Sequence, residues 1–478
     1  MTVRKVVQRV FFLPIRRKMS LYSMNIVIIG GVATGLTAAY SIRKNLPSSK
    51  ITILERGEDI SYGACGFPYY IEGLIEKEEK LIAKNAAEVL QDGFDLKLRH
   101  EVIDVDFDRK EVTVRNLSLQ ENLTLPYDKL VIATGANAKQ LPFFRGMKGV
   151  FPLNTLEDAN HIKKYIEEAK PEKAVIIGGG NKGIELLETL TLLAVDTQVV
   201  EFLPRILNRY DEEFSDLLLK ELRGEGHKIH TREEVTGAEA NEKGFVKAVI
   251  TDQRTYDAEL VIESIGLTPN TAFLKGKGLH MEKGAIVTDR YGRTSIGDVY
   301  AGGDCALIYD HMSGENTYLP LGTNANKMGR LIGLSIAGKE PSFKGVQGSA
   351  MLKVFEFEMA MTGLTDQRAG ELGLPFDSVM VRTRNKSGYY PGGTEFFVKI
   401  TYDRNSGKIL GGQVFGREGS ALRIQALVAS VYAGLTVQDL EYMDFGYIPP
   451  LNSVWDSLNI AGRKASEKIE NSRRGATH

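Results

Sequence analysis

The chain has 478 residues, enough for about three domains of roughly 150 residues each. Its 43% hydrophobic and 25% charged residues are typical of a globular protein, and 60 Lys and Arg nearly balance 61 Asp and Glu. This balance argues against a nucleic-acid or membrane-surface partner, and no apolar run reaches the ~18 residues of a membrane span.

The two cysteines lie far apart in the sequence, so no disulfide framework is expected. Such sparse cysteine usage indicates a reducing compartment and hence a cytoplasmic location. We expect no metal site, no nucleic-acid partner and no membrane partner.

Residues 1–23 form a basic N-terminal extension with six Lys or Arg and no acid. Their apolar patch is interrupted by Pro14 and is too short for the core of a signal peptide. We expect a poorly ordered tail. A targeting role, or a start at Met19 or Met24, are the alternatives.

From Met24 onward, short β-branched runs predict buried parallel strands with helices between some of them. The predicted strands are NIVIIGG, ITILE, KLVIATG, AVIIGGG, TQVVE and ELVIESIG, and the clearest helices are GLTAAYSIRKNL and GIELLETLTLLA. Beyond about residue 345 the pattern changes to strands (EFFVKITYD, KILGGQVFG) followed by the helix GSALRIQALVASVYAGL, without a glycine turn.

Two glycine-rich turns each follow a predicted strand and open a helix. The second turn, residues 178–183, has glycine at all three fingerprint positions, and the first, residues 30–35, has Val32 in place of the middle glycine. An acid ends the next strand in both cases, Glu55 and Glu201, where it can bind a ribose hydroxyl. An ordinary strand–turn–helix is the alternative for each turn. The pair predicts two bound dinucleotides.

Further motifs lie in the same order along the chain. Thr134 and Gly135 end the strand KLVIATG, and Asp304 follows a Gly-Gly turn at the end of a strand, where its carboxylate can accept from a ribityl hydroxyl. Cys65 lies in SYGACGFPYY, shortly after the first acid and at the start of an apparent helix.

Over about residues 24–470 this ordered set of motifs resembles the pyridine nucleotide–disulfide oxidoreductases. The resemblance implies an α/β fold with two Rossmann-like dinucleotide-binding domains and a C-terminal α+β dimerisation domain. The implied boundaries are 24–150 and 269–345 for the FAD-binding domain, 151–268 for the NAD(H)-binding domain and 346–478 for the dimerisation domain.

The resemblance also implies the cofactor sites. FAD is expected at Gly30, Gly35, Glu55, Thr134, Gly135 and Asp304, and the nicotinamide cofactor at Gly178, Gly180, Gly183 and Glu201. Arg56, Gly266 and Ala306 are expected as further cofactor contacts. Because the carboxylate of Glu201 repels a 2′-phosphate, NADH is the expected reductant, with NADPH as the alternative.

Disulfide reductases of this family place two cysteines at C-x4-C beside the flavin, whereas the position five after Cys65 is Tyr70. Residues 61–71, the segment SGYYPGG and the segment around Tyr447 resemble the single-cysteine coenzyme A-disulfide and persulfide reductases. This implies that Cys65 is the nucleophile, that a helix N-terminus and the flavin lower its pKa, and that a small thiol or disulfide is the substrate.

The same branch implies a homodimer in which Tyr389 and Tyr447 reach the Cys65 of the partner subunit. Coenzyme A, as ligand or as a mixed disulfide on Cys65, is expected near Ser61. Its phosphates are expected to contact two basic residues of the first helix, Arg43 and Lys44. A solvated helix face explains these two cations equally well.

Two alternatives stay open. An NADH oxidase or peroxidase reduces O2 or H2O2 through a cysteine-sulfenic acid, but that group normally has a histidine in the first turn, where this chain has Ala33. A flavin-binding redox sensor with impaired NADH turnover is the other. Asn181 and Lys182 favour it, because they stand where the family usually has an aromatic and an apolar residue.

Overall fold

The first series of strands forms a five-stranded parallel sheet. The computed structural model describes residues 23–475. Across this sheet the strands are Val299–Ala301, Lys129–Ile132, Asn25–Ile29, Lys50–Leu54 and Asp95–Lys97. Ile26 and Ile28 face the helical side, and Val27 and Ile29 face an antiparallel ribbon. The central strand is therefore apolar throughout because both faces of the sheet are covered.

The helices alternate with these strands and then gather in the C-terminal part. Within the described residues they are α1 (Ala33–Asn45), α2 (Phe67–Glu72), α3 (Ala86–Gln91), α4 (Leu156–Ala169), α5 (Asn181–Leu192), α6 (Glu212–Gly224), α7 (Gly322–Ile336), α8 (Asp366–Glu371), α9 (Ile424–Ala433), α10 (Val437–Glu441) and α11 (Ser457–Gly475).

Helices α1 and α7 pack closely through small residues. A Cβ at Gly329 would clash with the carbonyl of Thr34, and one at Gly333 would clash with Ser41. Thr34 Oγ1 also donates to the carbonyl of Ala325 (2.9 Å). This contact brings the segment after residue 300 against the first glycine turn, although the two lie far apart in the sequence.

A second five-stranded parallel sheet repeats the arrangement. Its strands, in order, are Lys228–Thr231, Asp196–Glu201, Lys173–Ile177, Leu260–Glu263 and Val150–Pro152. Three-stranded antiparallel sheets accompany the two parallel sheets: His100–Asp106, Glu111–Asn116 and Glu121–Pro126, then Val235–Ala240, Val246–Thr251 and Thr255–Asp257. Short two-stranded pairs complete the connections: Ala136–Ala138 with Leu267–Pro269, Met281–Glu282 with Ala285–Ile286, and Ile308–Tyr309 with Asn316–Thr317.

The C-terminal part contains a five-stranded antiparallel sheet. Its strands, in order, are Ala350–Val354, Phe357–Gly363, Ile409–Gly416, Glu395–Asp403 and Phe376–Arg384. Apolar side chains of α9, α10 and α11 pack against its buried face.

The predicted fold class is confirmed, and each strand predicted from an apolar run is present. The basic extension predicted for residues 1–23 lies almost entirely outside the described residues. No helix within residues 23–475 is long and apolar enough to cross a membrane.

A buried ion cluster joins the C-terminal sheet to the second parallel sheet. Lys399 is 3% exposed, and its Nζ lies 2.8–2.9 Å from carboxylates of Asp211, Glu213 and Asp366. Burial alone would lower the pKa of Lys399, but the hydrogen bonds to these carboxylates outweigh burial and raise it. Because Asp211 precedes α6 and Lys399 lies on the C-terminal sheet, the cluster fixes one unit against the other.

We expect Lys399→Met to lose about 3–5 kcal/mol of stability, because it leaves buried carboxylates without their shared cation. The matched control is Arg382→Met on the neighbouring strand, whose ion pair with Glu395 is exposed and contributes below about 1 kcal/mol. Thermal unfolding of both variants makes the comparison. Equal midpoints would contradict a stabilising role for the Lys399 cluster.

Candidate active site

The first glycine turn is built by close backbone contacts. Gly30 has φ +103°, and a Cβ there would clash with the carbonyl of Ala133, at the end of the neighbouring strand. A Cβ at Gly35 would clash with the carbonyl of Gly30. These contacts bring the start of α1 close to the strand end, where its N–H groups can face a pyrophosphate.

Glu55 is held at this turn by its own backbone contacts. Its two carboxylate oxygens accept from the N–H of Gly31 and of Gly57, each at 2.8 Å. Arg56 lies next to it and pairs with Glu101 at 3.9 Å. Ser61, at φ +55°, donates its N–H to the carbonyl of Gly31 (3.2 Å). Glu55, the acid expected to bind a ribose, and the segment before Cys65 therefore meet at one turn.

The second turn repeats this geometry. Gly178 has φ +105°, and a Cβ there would clash with the carbonyl of Ser264, while one at Gly183 would clash with Gly178. A Cβ at Gly180 would meet no atom within 4 Å, so the space beside this residue is open. Glu201 accepts from the N–H of Gly179 (2.6 Å) and of Leu203 (2.7 Å).

The buried polar atoms near the first turn fit a bound FAD. Thr134 Oγ1 is buried and makes no hydrogen bond to the described residues. Burial raises the pKa of the Asp304 carboxyl, which a hydroxyl donor from a ribityl chain would offset. Ala306 lies two residues after Asp304 and donates its N–H to the carbonyl of Gly303. Gly266, at φ +104°, accepts from the N–H of Lys139.

Cys65 lies in a short 3-10 turn, Ala64–Gly66, that leads into α2. The residue is exposed and unpaired. Helix α2 packs against α5 of the second turn, where Thr189 Oγ1 donates to the carbonyl of Pro68 (3.3 Å). The cysteine therefore stands between the two glycine turns.

Some groups around Cys65 raise the pKa of its thiol and others lower it. Burial of the thiol is the largest effect and raises its pKa, although the residue as a whole is exposed. The carboxylate of Glu185 raises it further, and the ammonium of Lys182 lowers it. The carboxylate of Asp304 also raises the pKa of this thiol. The protein groups together raise the pKa, opposite to the direction expected from a helix N-terminus.

Sequence reasoning overlooked Glu185. Its neighbours Ile184, Leu186 and Leu187 are buried in the core, and burial raises the pKa of Glu185 itself to about 7. The available clue was an acid in an otherwise apolar run directly after a glycine turn.

The two candidate tyrosines lie together, remote in sequence from Cys65. The hydroxyl oxygens of Tyr389 and Tyr447 are 2.6 Å apart, and Ser387 Oγ donates to the Tyr447 hydroxyl (3.4 Å). These hydrogen bonds lower the pKa of Tyr447, whereas that of Tyr389 is raised. Tyr389 is 75% exposed and Tyr447 is 41% exposed, so the pair is open to contact from outside the chain.

The remaining candidates occupy different settings. The Arg43 guanidinium donates to the carbonyl of Gly93 (3.1 Å) and lies 4.8 Å from the centre of the Phe94 ring, while Lys44 is exposed. Cys305 is fully buried, with Sγ 3.3–3.4 Å from the carbonyls of Gly302 and Ile132.

The fold and site define a two-dinucleotide oxidoreductase with one exposed cysteine at the contact between its nucleotide-binding units. Residues 24–329 match the family model described as pyridine nucleotide-disulphide oxidoreductase, and residues 349–458 match the dimerisation domain of that family. The chain belongs to the pyridine nucleotide-disulphide oxidoreductase family. It is an NAD(P)H-dependent flavin oxidoreductase whose cofactors are FAD and NAD(P)H.

Curated relatives span nearly the whole chain. An NADH oxidase of Enterococcus faecalis is 32% identical over 450 residues, covering 93% of this chain and 100% of the relative. An NAD(P)H coenzyme A polysulfide/persulfide reductase of Pyrococcus horikoshii is 35% identical over 442 residues, covering 92% and 97%. The crystal structure of reduced Bacillus anthracis CoADR-RHD superposes with a TM-score of 0.90 at 31% identity, covering 94% of this chain and 81% of the other.

We expect Asp304→Ala to weaken FAD retention by about 1.5–3 kcal/mol, because it removes a charge-assisted hydrogen bond. Asp304→Asn is the matched control, since it keeps an acceptor of the same shape without the charge. Equilibrium dialysis with FAD measures both. Wild-type affinity in the alanine variant would contradict the assignment of Asp304.

We expect Glu185 to contribute a decrease in stability as pH rises from about 4.5 to 7, so Glu185→Gln should lose less stability than wild type across this window. The folded protein keeps the proton on Glu185 up to about pH 7, whereas the unfolded chain loses it near the ordinary value of 4.5. Because the folded state then binds more protons, unfolding becomes easier as pH rises. Thermal midpoints across this window measure the effect, with Glu188→Gln as a control. A Glu185→Gln curve parallel to wild type would contradict it.

Proposed function

We propose that this protein uses NAD(P)H and FAD to reduce a disulfide, persulfide or polysulfide at Cys65, with a coenzyme A disulfide or persulfide as the favoured substrate. The observation that carries the proposal is that the exposed Cys65 lies between the two expected nucleotide sites, where α2 packs against α5. Asp304 of the first and Lys182 and Glu185 of the second all act on its thiol. The names of the Pyrococcus relative and of the coenzyme A disulfide reductase of Staphylococcus epidermidis, 28% identical, support the substrate class.

The chemistry assigned to Cys65 is thiol–disulfide exchange. Its thiolate attacks one sulfur of the substrate, so a bond to Cys65 forms while the substrate S–S bond breaks, and the leaving thiolate takes up a proton. Bound NAD(P)H and FAD supply the two electrons that then release the second thiol. In sum, a disulfide, NADH and a proton give two thiols and NAD+.

The cofactors would be held by the two turns. FAD would lie along the Gly30–Gly35 turn with a ribose on Glu55 and its ribityl chain toward Asp304, with Thr134 and Gly135 beside it. NADH would lie along the Gly178–Gly183 turn with a ribose on Glu201. The Glu201 carboxylate disfavours the 2′-phosphate of NADPH.

A coenzyme A substrate would approach Cys65 from the side of Ser61. In this proposal its phosphates meet the cationic end of α1, Arg43 and Lys44. The guanidinium of Arg43 already bonds Gly93, so Lys44 is the freer of the two for a phosphate.

The tyrosine pair would complete the site of a second copy of the chain. The matched dimerisation domain supports a homodimer. The surface beside Tyr447 exposes large apolar side chains that a partner would cover: Ile448, Leu451, Val454 and Trp455. In this arrangement Tyr447, whose pKa is lowered, donates the proton to the leaving thiolate.

Reduction of O2 or H2O2 is the second candidate function, because the Enterococcus relative is named an NADH oxidase. Both functions use an exposed cysteine beside a flavin. Parallel assays of coenzyme A disulfide, polysulfide, peroxide and oxygen with NADH separate them, and the proposal fails if only oxygen or peroxide is consumed.

We expect Cys65→Ser to retain FAD and its reduction by NADH but to lose disulfide or persulfide reduction. A serine hydroxyl is a far weaker nucleophile than a thiolate and forms no S–S adduct. Cys305→Ser is the matched control and should keep turnover, because Cys305 is buried away from solvent. Undiminished steady-state turnover in Cys65→Ser would contradict the assignment.

We expect mixing of Cys65→Ser chains with Tyr447→Phe chains to restore part of the lost activity. If Tyr447 serves the partner's cysteine, a heterodimer has one doubly damaged site and one intact site. Each homodimer alone should be slower, with Tyr447→Phe reduced by about 10²–10⁴ as is typical of general acid catalysis. Heterodimers isolated by two affinity tags without recovered activity would contradict a site shared between subunits.

A further inference from the structure

The first turn of α5 brings charged side chains close to Cys65. Lys182 and Glu185 are three residues apart and therefore project from the same side of the helix. This helix packs against α2, which begins two residues after Cys65. The contact between the two helices is fixed by the hydrogen bond from Thr189 to the carbonyl of Pro68.

The ammonium of Lys182 is held inside this contact. Its Nζ donates to the carbonyl of Leu153 at 2.5 Å, which anchors the side chain across the sheet edge. An ammonium has three donors, so two are left for other acceptors. The groups that act on Lys182 are the Cys65 thiol and three carboxyls: Asp158, Glu185 and Asp304.

Asp158 has other partners. It accepts from the backbone N–H of Asn154 and of Thr155 at the start of α4, each at 2.8 Å. Asp304 belongs to the expected FAD site. Two groups between α2 and α5 thus remain as partners for the Lys182 ammonium: the thiol of Cys65 and the carboxyl of Glu185.

We propose that Lys182 is a positioning residue for Cys65, whose ammonium favours the thiolate form of Cys65 and opposes the carboxylate of Glu185 on the same face of α5. The proposal rests on the proposed function, in which Cys65 is the nucleophile. The proposal explains why Lys182 stands at a position where the sequence resemblance predicts an apolar side chain.

Electrostatics at this site support the assignment. Burial and Glu185 both raise the pKa of the Cys65 thiol, and Lys182 acts against them. Burial in turn lowers the pKa of Lys182, and the carboxyls and the thiol oppose that decrease. The cation and the thiolate therefore stabilise each other's charged forms. Tyr69 on α2 also faces Glu185 and Cys65, and burial raises its pKa, so it stays neutral.

The test measures the alkylation of Cys65 by iodoacetamide across about pH 7 to 11.5 in the FAD-loaded protein, because the thiolate is the form that reacts. Peptide mass spectrometry follows Cys65 separately from Cys305. We expect Lys182→Met to move the midpoint of the alkylation profile upward by about one pH unit or more, because an opposite charge nearby shifts a pKa by that amount. Lys182→Arg keeps the charge and should restore most of the wild-type midpoint.

The matched control is Lys163→Met. Lys163 also contacts α2, but its Nζ donates to the carbonyl of Tyr70 (2.7 Å), further along that helix. This variant should keep the wild-type midpoint. If Lys182→Met fails to retain FAD, Lys182→Gln takes its place in the same measurement. A midpoint unchanged by loss of the Lys182 charge overturns the proposal.

The alkylation profile and substrate turnover separate this inference from the proposed function. A shifted midpoint in Lys182→Met, together with a wild-type protein that reduces no disulfide, persulfide or polysulfide, supports the thiolate role and overturns the proposed function. Turnover that depends on Cys65, together with an unshifted midpoint, supports the proposed function and overturns the role of Lys182.

Discussion

Two close approaches of backbone to backbone, one at each glycine turn, determine where the rest of the site lies. A Cβ at Gly30 would clash with the carbonyl of Ala133 and one at Gly178 with that of Ser264, and the two glycines have φ of +103° and +105°. In each sheet the central strand ends against its neighbour and turns at once into a helix. A Cβ at Gly30 or Gly178 would push the strand and the helix apart. The helix N-terminus would then no longer face the point where a pyrophosphate binds.

The glutamates at the following strands reinforce these close approaches. Each carboxylate accepts from the backbone of its own glycine turn and from an N–H two residues further along, Glu55 with Gly31 and Gly57, Glu201 with Gly179 and Leu203. The acid expected to bind a ribose therefore also shapes the turn. Each carboxylate oxygen has further lone pairs, so these contacts leave it able to accept from a ribose hydroxyl.

Sequence patterns predicted the strands and turns because these depend on local residue types. The buried strands are β-branched runs, and the turns need glycine at φ values that other residues avoid. The position of the Lys182 ammonium was not predictable, since it depends on the carbonyl of Leu153 in a neighbouring segment. The Lys399 cluster likewise joins residues that are 186 or more positions apart in two of its pairs.

At the Cys65 site, too, the sequence predicted several of the residues that matter but not the contacts that tertiary packing creates. The sequence indicated Cys65 through its neighbours and predicted a lowered thiol pKa, whereas burial and then Glu185, on a helix packed from another sheet, raise that pKa. The sequence also indicated Tyr389 and Tyr447, whereas the 2.6 Å contact between their hydroxyls follows from tertiary packing.

The central claim is that electrons from NADH reach a sulfur bound to Cys65 through the flavin. The most direct test loads Cys65 with coenzyme A as a mixed disulfide and titrates the FAD-loaded protein anaerobically with NADH, following flavin absorbance and released thiol. The account predicts that the first equivalent releases coenzyme A while the flavin stays oxidised, and that further NADH bleaches the flavin. Bleaching by the first equivalent without thiol release would contradict it.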